Sequence, residues 1–552
     1  MTDKPSFRPA MTWLHSWAGI ILGTLLFTIW WTGTLSVFDK EIDRWMQPET
    51  RIAASNQRLD ADSVISRIKT ERPNDSLSSL LIYLPDDRTP FFEVYADFAD
   101  GERMNERLHP QTGNFLGEKL SLAGSGFLYP MHYKLHSGAA GYIIVALATL
   151  FMMTLLVTGV VIHRKIFADF FTFRPSKNLR RSSLDLHNLT GTIFLPFHFL
   201  ICLSGLAIFA GFYAGLPLQI VQLADPSNRA VELFYPSGSY GHYSRAALGQ
   251  PATMAPVQPM VEQAEAIWTE RYGKTARADR IDITHYGDAN AYVEVRRHFP
   301  SNRTEAHRDS VNFDGATGAV LVDFQASPVQ QARSWLEGFH QIRFDHWPIR
   351  WLYFFAGLSG CVLIGTGFIF WIASRKKKAA DRQPFKIRLV EAMTVGSITG
   401  IIVATGAYLV ANRLLALDIG LHVTDPAAFE VRCFFCFWAL TFVHGALRKE
   451  RSWIEQCWAI ALLAVLAVSL NWLTTGDSLL SAAQQGHWPV AGMDLMLIAS
   501  AGIAVFVARR LDRSMSNTAV WHDRERGQAR RSSPMNPGQS NIAMSDSREP
   551  KS

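Results

Sequence analysis

Residues 13–38 read WLHSWAGIILGTLLFTIWWTGTLSVF, and residues 186–209 read LHNLTGTIFLPFHFLICLSGLAIF. Both open on Leu-His, with a Gly four residues after the His and another eighteen after it: Gly19 and Gly33 follow His15, Gly191 and Gly205 follow His187. The second Gly is preceded by a hydroxyl residue each time, Thr32 or Ser204. Each stretch is apolar over the ~20 residues a helix needs to cross a bilayer. A second match links Thr158-Gly159-x3-His163 with Thr366-Gly367-x3-Trp371, each followed by basic residues. The repeating unit is span, exposed segment, span. It occurs twice with both copies starting on the same side, which predicts a tandem parallel repeat in the first four spans.

Eight apolar runs are long enough to cross: 13–38, 139–162, 189–213, 349–372, 389–410, 431–447, 454–473 and 490–508. The first is too long for a signal-peptide core and reads as a retained anchor. Lys and Arg gather on one side of all of them. Lys4 and Arg8 precede the first; Arg174, Lys177, Arg180 and Arg181 lie between the second and third; Arg375 to Lys378 follow the fourth; Arg448, Lys449 and Arg451 follow the sixth; Arg509 and Arg510 follow the eighth. Short basic connections stay cytoplasmic, which places both termini there.

The 552-residue chain has 48% apolar and 18% charged residues and a net charge of +6. These values average over apolar runs and polar stretches, and exclude both a purely soluble enzyme and a disordered chain. The positive charge flanks spans, so it does not indicate nucleic acid. Cys202, Cys361, Cys433, Cys436 and Cys457 all lie in apolar runs, which excludes a disulfide framework for the exposed parts.

The expected organisation follows. Residues 1–38 hold the N-terminus and first span, 39–138 a first exposed α+β domain, and 139–213 spans two and three with a basic loop. Residues 214–348 form a second α+β domain, 349–388 span four and its basic loop, 389–510 an appended four-span bundle, and 511–552 a disordered cytoplasmic tail. Strands are expected near 80–84, 91–98, 292–295, 311–313 and 319–324, with helices near 63–69 and 261–272.

Ionisable groups in spans are functional candidates, and here most are histidines. The repeat puts His15 and His187 at one depth and His136 and His340 at another. Facing histidines at equal depth suit a haem with one neutral imidazole on each face of the iron. His198 lies eleven residues after His187, on the same helix face and ~16.5 Å further along. It could ligate a deeper haem or hydrogen-bond within the bundle. His132 is one turn from His136 and could replace it, and His346 is a rival to His340. His163, at the end of span two, aligns with Trp371. A di-metal or proton-relay site is the alternative use of the same histidines.

These Leu-His-x3-Gly starts, the Thr-Gly and Ser-Gly span ends, and the turns His109-Pro110-Gln111-Thr112-Gly113 and Asp314-Gly315-Ala316-Thr317-Gly318 resemble the PepSY-associated transmembrane family over residues 10–376. The resemblance implies an α-helical multi-pass membrane bundle with two small α+β PepSY-like periplasmic domains, located in a bacterial inner membrane. It implies haem b, in two copies, with axial ligands His15, His136, His187 and His340. His132, His163 and His198 recur in longer members. The implied activity is reduction of a periplasmic ferric siderophore or other ferric chelate. No Gly-rich dinucleotide fingerprint follows a strand, so the electron donor is expected to be a quinol or a separate cytoplasmic reductase. A PepSY-based regulator of periplasmic proteases and a siderophore or iron transporter are the rival classes. Cys433-x-x-Cys436 reads as two buried thiols rather than a redox pair.

Overall fold

A computed structural model describes residues 7–53, 55, 57–73, 75–163, 173–175, 178–213, 243–273, 275–297, 309–342, 346–376, 384–417 and 423–531. The first half contains α1 (Phe7–Ser36), α2 (Asp39–Met46), α3 (Ala61–Glu71), α4 (Tyr129–Lys134), α5 (Gly138–Ile162), α6 (Leu179–Ile193) and α7 (Leu195–Ile208). After these come α8 (Gln258–Tyr272), α9 (Pro328–Gln341), α10 (Trp347–Lys376), α11 (Pro384–Val395), α12 (Ile401–Leu415), α13 (Pro426–Arg448), α14 (Arg451–Thr475) and α15 (Trp488–Arg531).

Seven helical stretches among the described residues are long and apolar enough to cross a membrane, α11 and α12 counting as one span, so the chain is a multi-pass membrane protein. The pair α6 and α7 makes an eighth span if counted as one; it bends by 63°. Pro196 causes the break, because its ring excludes the carbonyl four residues back and it has no N–H to donate. Helix α15 continues past the expected end of span eight to Arg531, through a stretch containing Arg, Glu, Gln and Ala residues that favour helix. The rest of the expected tail, 532–552, lies outside the described residues, as does 214–242 of the second exposed segment.

The exposed segments do not form separate sheets. Strands β1 (Leu77–Tyr83), β2 (Phe92–Phe98), β3 (Arg103–Leu108), β4 (Ala278–Thr284), β5 (Tyr292–Arg297), β6 (Ser310–Asp314) and β7 (Val320–Phe324) make one antiparallel sheet, ordered β3-β2-β1-β4-β5-β6-β7. The join is β1 with β4, in register Leu81↔Asp282. Pairing these strands removes an exposed edge from each half. Alternating residues (Leu80, Ile82, Val94, Ile281, Ile283, Val293, Val295) bury one face against Val64 and Ile68 of α3 and Val261 and Trp268 of α8.

Residues 37–51 join the sheet, the first span and the appended helices. Arg88, from the β1–β2 turn, pairs with Asp39 at 3.2 Å and bridges to Glu41 at 2.6 Å. From the appended helices, Asp494 accepts from the Trp45 indole at 2.8 Å, Asp477 pairs with Arg51 at 2.7 Å, and Arg413 donates to the Met46 carbonyl. Nearby, Glu430 is buried and hydrogen-bonded by Ser121 at 2.6 Å and Asn412 at 2.7 Å.

Candidate functional site

Four histidines meet as two pairs. At the end of the bundle lined by Arg181 and Arg375, His15 of α1 faces His187 of α6, ring centroids 6.1 Å apart and planes crossed at 84°. Near the sheet, His132 of α4 faces His340 of α9, centroids 6.0 Å apart and planes within 24° of parallel.

Each histidine sits on one of the hydroxyl-Gly pairs seen in the sequence. His15 Nδ1 lies 3.1 Å from the Thr158 hydroxyl, which itself donates to the Thr154 carbonyl. His340 Nδ1 lies 3.1 Å from the Ser204 hydroxyl, which donates to the Leu200 carbonyl. With both hydroxyl protons so directed, the imidazole N–H is the donor in each contact. His187 Nδ1 donates to the Leu363 carbonyl and His132 Nδ1 to the Ile29 carbonyl, both at 2.8 Å. Those carbonyls lie three residues before Thr366-Gly367 and Thr32-Gly33. The adjoining glycines make room for the rings. A Cβ on Gly33 would lie 2.6 Å from His132 and one on Gly205 2.8 Å from His340, against 3.2 Å for Gly367 with His187 and 3.4 Å for Gly159 with His15.

The consequence is one tautomer at all four sites. Nδ1 holds the proton and spends it on the protein, leaving Nε2 with a free lone pair. No hydrogen bond reaches these Nε2 atoms among the described residues. Two metal–imidazole bonds of ~2.0–2.1 Å, plus half a ring on either side, span about 6 Å between centroids, so each pair has a separation at which its two imidazoles could share one metal ion. No third His, Cys, Asp or Glu joins either pair among the described residues. A bare ion would need such ligands; a porphyrin brings its own four nitrogens. Two imidazoles with free Nε2 atoms are the donor set that a porphyrin, with its own four nitrogens, would need. The basic-end pair opens on a cleft of about 640 Å³, within the range of small-molecule sites, while the cavity at the sheet-end pair measures about 110 Å³, below that range, so a porphyrin there would require its lining side chains to move. Fourteen residues of α1 separate His15 from Ile29, ~21 Å along the helix.

The structure pairs His340 with His132 rather than the expected His136. Helix α4 ends at Lys134, and Leu135 and His136 both adopt left-handed backbone (φ 50° and 51°). That reversal turns His136 back to donate from Nε2 to the Phe127 carbonyl at 2.8 Å and to stack on Phe127. The rival His346 is exposed at the start of α10. His198 faces no other histidine among the described residues. It is fully buried between the two pairs, bonded to the Ser359 hydroxyl at 3.0 Å and packed edge-on against Trp30 at 5.0 Å. His163 lines the basic-end cleft without joining the pair. The role of the hydroxyl-Gly pairs as histidine seats was not read from the sequence, although their spacing was. The buried Glu430 and Arg413 were also missed; a single charge in an otherwise apolar window was the available signal.

A family model described as the PepSY-associated TM region matches residues 12–374. A Pseudomonas aeruginosa protein named only "Uncharacterized protein PA4219" is 26% identical over 390 residues, covering 67% of this chain and 91% of that protein.

Proposed function

The chain belongs to the PepSY-associated TM region family, and from that premise we propose that it is a b-type dihaem electron conduit of a bacterial inner membrane that reduces a ferric siderophore, or another ferric chelate, on the sheet side. The observation that carries this reading is the pair of matched sites: two facing imidazoles about 6 Å apart, each with Nδ1 tied to the protein and Nε2 free.

In this reading the first four spans are a tandem repeat, the sheet is built from two PepSY-like halves, and the Lys- and Arg-rich end is cytoplasmic. His15 and His187 hold one haem, and His132 and His340 the other. When bound, the haems supply one-electron redox chemistry at two depths. The chain's own part is to hold each ligand neutral and in one tautomer, to keep water from the sheet-end site with Leu26, Trp30, Phe197 and Tyr353, and to carry the sheet above that end. Reduction of the chelated iron weakens its hold on hard oxygen ligands, so the chelator releases it. The electron donor is a quinol or a separate cytoplasmic reductase. Protease regulation leaves the matched pairs without a role, and transport finds Glu430 and Asp494 tied into hydrogen bonds at one end rather than spaced along a path.

The test is a visible spectrum of purified protein, oxidised and dithionite-reduced, for wild type, His187→Ala and His340→Ala. Sharp reduced α-bands that each variant partly removes are expected. A featureless wild-type spectrum overturns the reading.

A further inference from the structure

The basic-end cleft has more to offer than its histidine pair. Two ring nitrogens that line it are buried and lack hydrogen-bond partners among the described residues: Nδ1 of His163 and Nε1 of Trp371. Their positions correspond in the internal repeat, each four residues after a Thr-Gly pair that seats a histidine. Trp371 is only 8% exposed and is held between Trp17, at 6.5 Å, and the Arg375 guanidinium, 3.9 Å above its ring. A buried indole N–H without an acceptor is costly, and one beside an unpartnered imidazole nitrogen in the same cleft points to a ligand bearing polar oxygens on an apolar body. About half of the rest of the lining is Leu, Ile, Phe and Gly, and Ser16, Asn188, Arg181 and Arg375 are among its polar and charged groups.

We infer that this cleft is a quinol-oxidation site, in which Trp371 donates to one ring oxygen of a membrane quinol and His163 Nδ1 accepts the proton of a hydroxyl. The inference rests on the conduit reading, whose unnamed donor it identifies. A quinol fits for three reasons. Its body is apolar and reaches the site through the bilayer. Its oxygens match one donor and one acceptor. Its oxidation releases protons that need a titratable group at the site. Each quinol breaks two O–H bonds and becomes a quinone. Its two electrons leave one at a time at the site between His15 and His187 and reduce two ferric ions to ferrous. One proton passes to His163 Nδ1 and then to water at the basic end, and the other goes to water at the same rim.

Haem carboxylates are the other oxygen-bearing groups this rim could hold, and the test separates the two. The full chain in lipid nanodiscs, with His163→Gln and Trp371→Phe, is measured three ways: haem per protein and dithionite-reduced spectrum, anaerobic reduction by a short-chain quinol, and fluorescence titration with a hydroxyquinoline N-oxide quinol analogue. Both variants should keep haem content and dithionite spectrum while losing about tenfold in quinol-driven reduction and in analogue affinity, the effect of one lost hydrogen bond. Loss of haem in either variant would assign these nitrogens to the haem itself and overturn the proposal. Wild type that dithionite reduces and quinol does not would also overturn it, while leaving the conduit standing. A haem-free chain that binds the analogue through Trp371 would do the reverse.

Discussion

At the basic end, a Cβ placed on Gly159 or Gly367 would stand 3.4 or 3.2 Å from the imidazole it seats; at the sheet end, on Gly33 or Gly205, it would stand 2.6 or 2.8 Å away. The roomier seats border a cleft of about 640 Å³ and crossed rings, and the tighter ones a cavity of about 110 Å³ and near-parallel rings. One local device, a hydroxyl-Gly step against a histidine, thus serves two surroundings. The cleft leaves far more free volume beside its histidines than the cavity does.

The largest effect that could break this comparison comes from the histidines. If the proposed conduit is right, His132→Ala should remove the sheet-end α-band and leave the basic-end band, with His187→Ala doing the opposite, because each would delete one of the two imidazoles that would hold a haem. His136→Ala should keep both bands. A spectrum in which His136→Ala and His132→Ala exchange roles would show that His136 turns inward in the loaded protein.

That contrast also shows what was legible in the sequence. His15 and His187 lie within regular helices, where residue spacing converts directly to depth and face, and the structure sets their rings side by side. His136 lies on a chain reversal made by two non-glycine residues in left-handed backbone, and no residue signal marks that turn. The strands nearest the apolar clusters were legible. Strand β4 was not, because Ala278–Thr284 carries Asp and Arg on its polar face, and the β1–β4 pairing that joins the halves is a long-range contact. The charges Glu430 and Arg413 were hidden by the apolar average of their windows.

Arg88 gives the next largest effect. It donates to the Val37 carbonyl at 3.4 Å as well as pairing with Asp39 and Glu41, and Val37 lines the sheet-end cavity. Arg88→Ala leaves largely buried carboxylates unpaired, which costs about 3 kcal/mol. Heating should release the sheet-end band earlier and leave the basic-end band's midpoint near wild type. The pH dependence has a definite sign. Burial pushes the Asp39 carboxyl up, but Arg88 and Lys40 bring it below the ordinary carboxylate range. The stability from that shift is complete above the ordinary range and lost as pH falls through the lower folded value. Asp43, which burial pushes up, acts in the opposite sense but does not pair with Arg88. The difference between wild type and variant is therefore governed mainly by Asp39, and the gap between the two proteins should shrink in acid. A gap that widened would contradict the assigned pairing.

The glycines test the difference in room directly. Gly33→Ala must push the His132 ring aside, and overpacking of this kind costs ~1–3 kcal/mol. Gly159→Ala makes an ordinary contact with His15. Thermal melts followed at the two α-bands should therefore show a sheet-end loss for Gly33→Ala and almost none at either end for Gly159→Ala. Equal losses would mean that the extra room at the basic end disappears once the site is filled.

The smallest effect concerns the hydroxyls. Thr158 and Ser204 do the same thing at opposite ends, each taking the Nδ1 proton of one histidine in its pair, while the partner histidine gives its proton to a backbone carbonyl that substitution cannot remove. Thr158→Val and Ser204→Ala each leave one histidine free to change tautomer or rotate, and loss of such a partner weakens metal binding by ~10-fold or more. Thr158→Val keeps the shape of its side chain, and His15 borders a cleft where water can replace the lost acceptor. Ser204→Ala leaves His340 beside a cavity of only about 110 Å³, where less water can enter to replace the hydroxyl. Haem-transfer titrations should therefore show the larger loss for Ser204→Ala, at the sheet-end band alone. Equal losses would make the hydroxyl, rather than the space around it, the controlling feature of both sites.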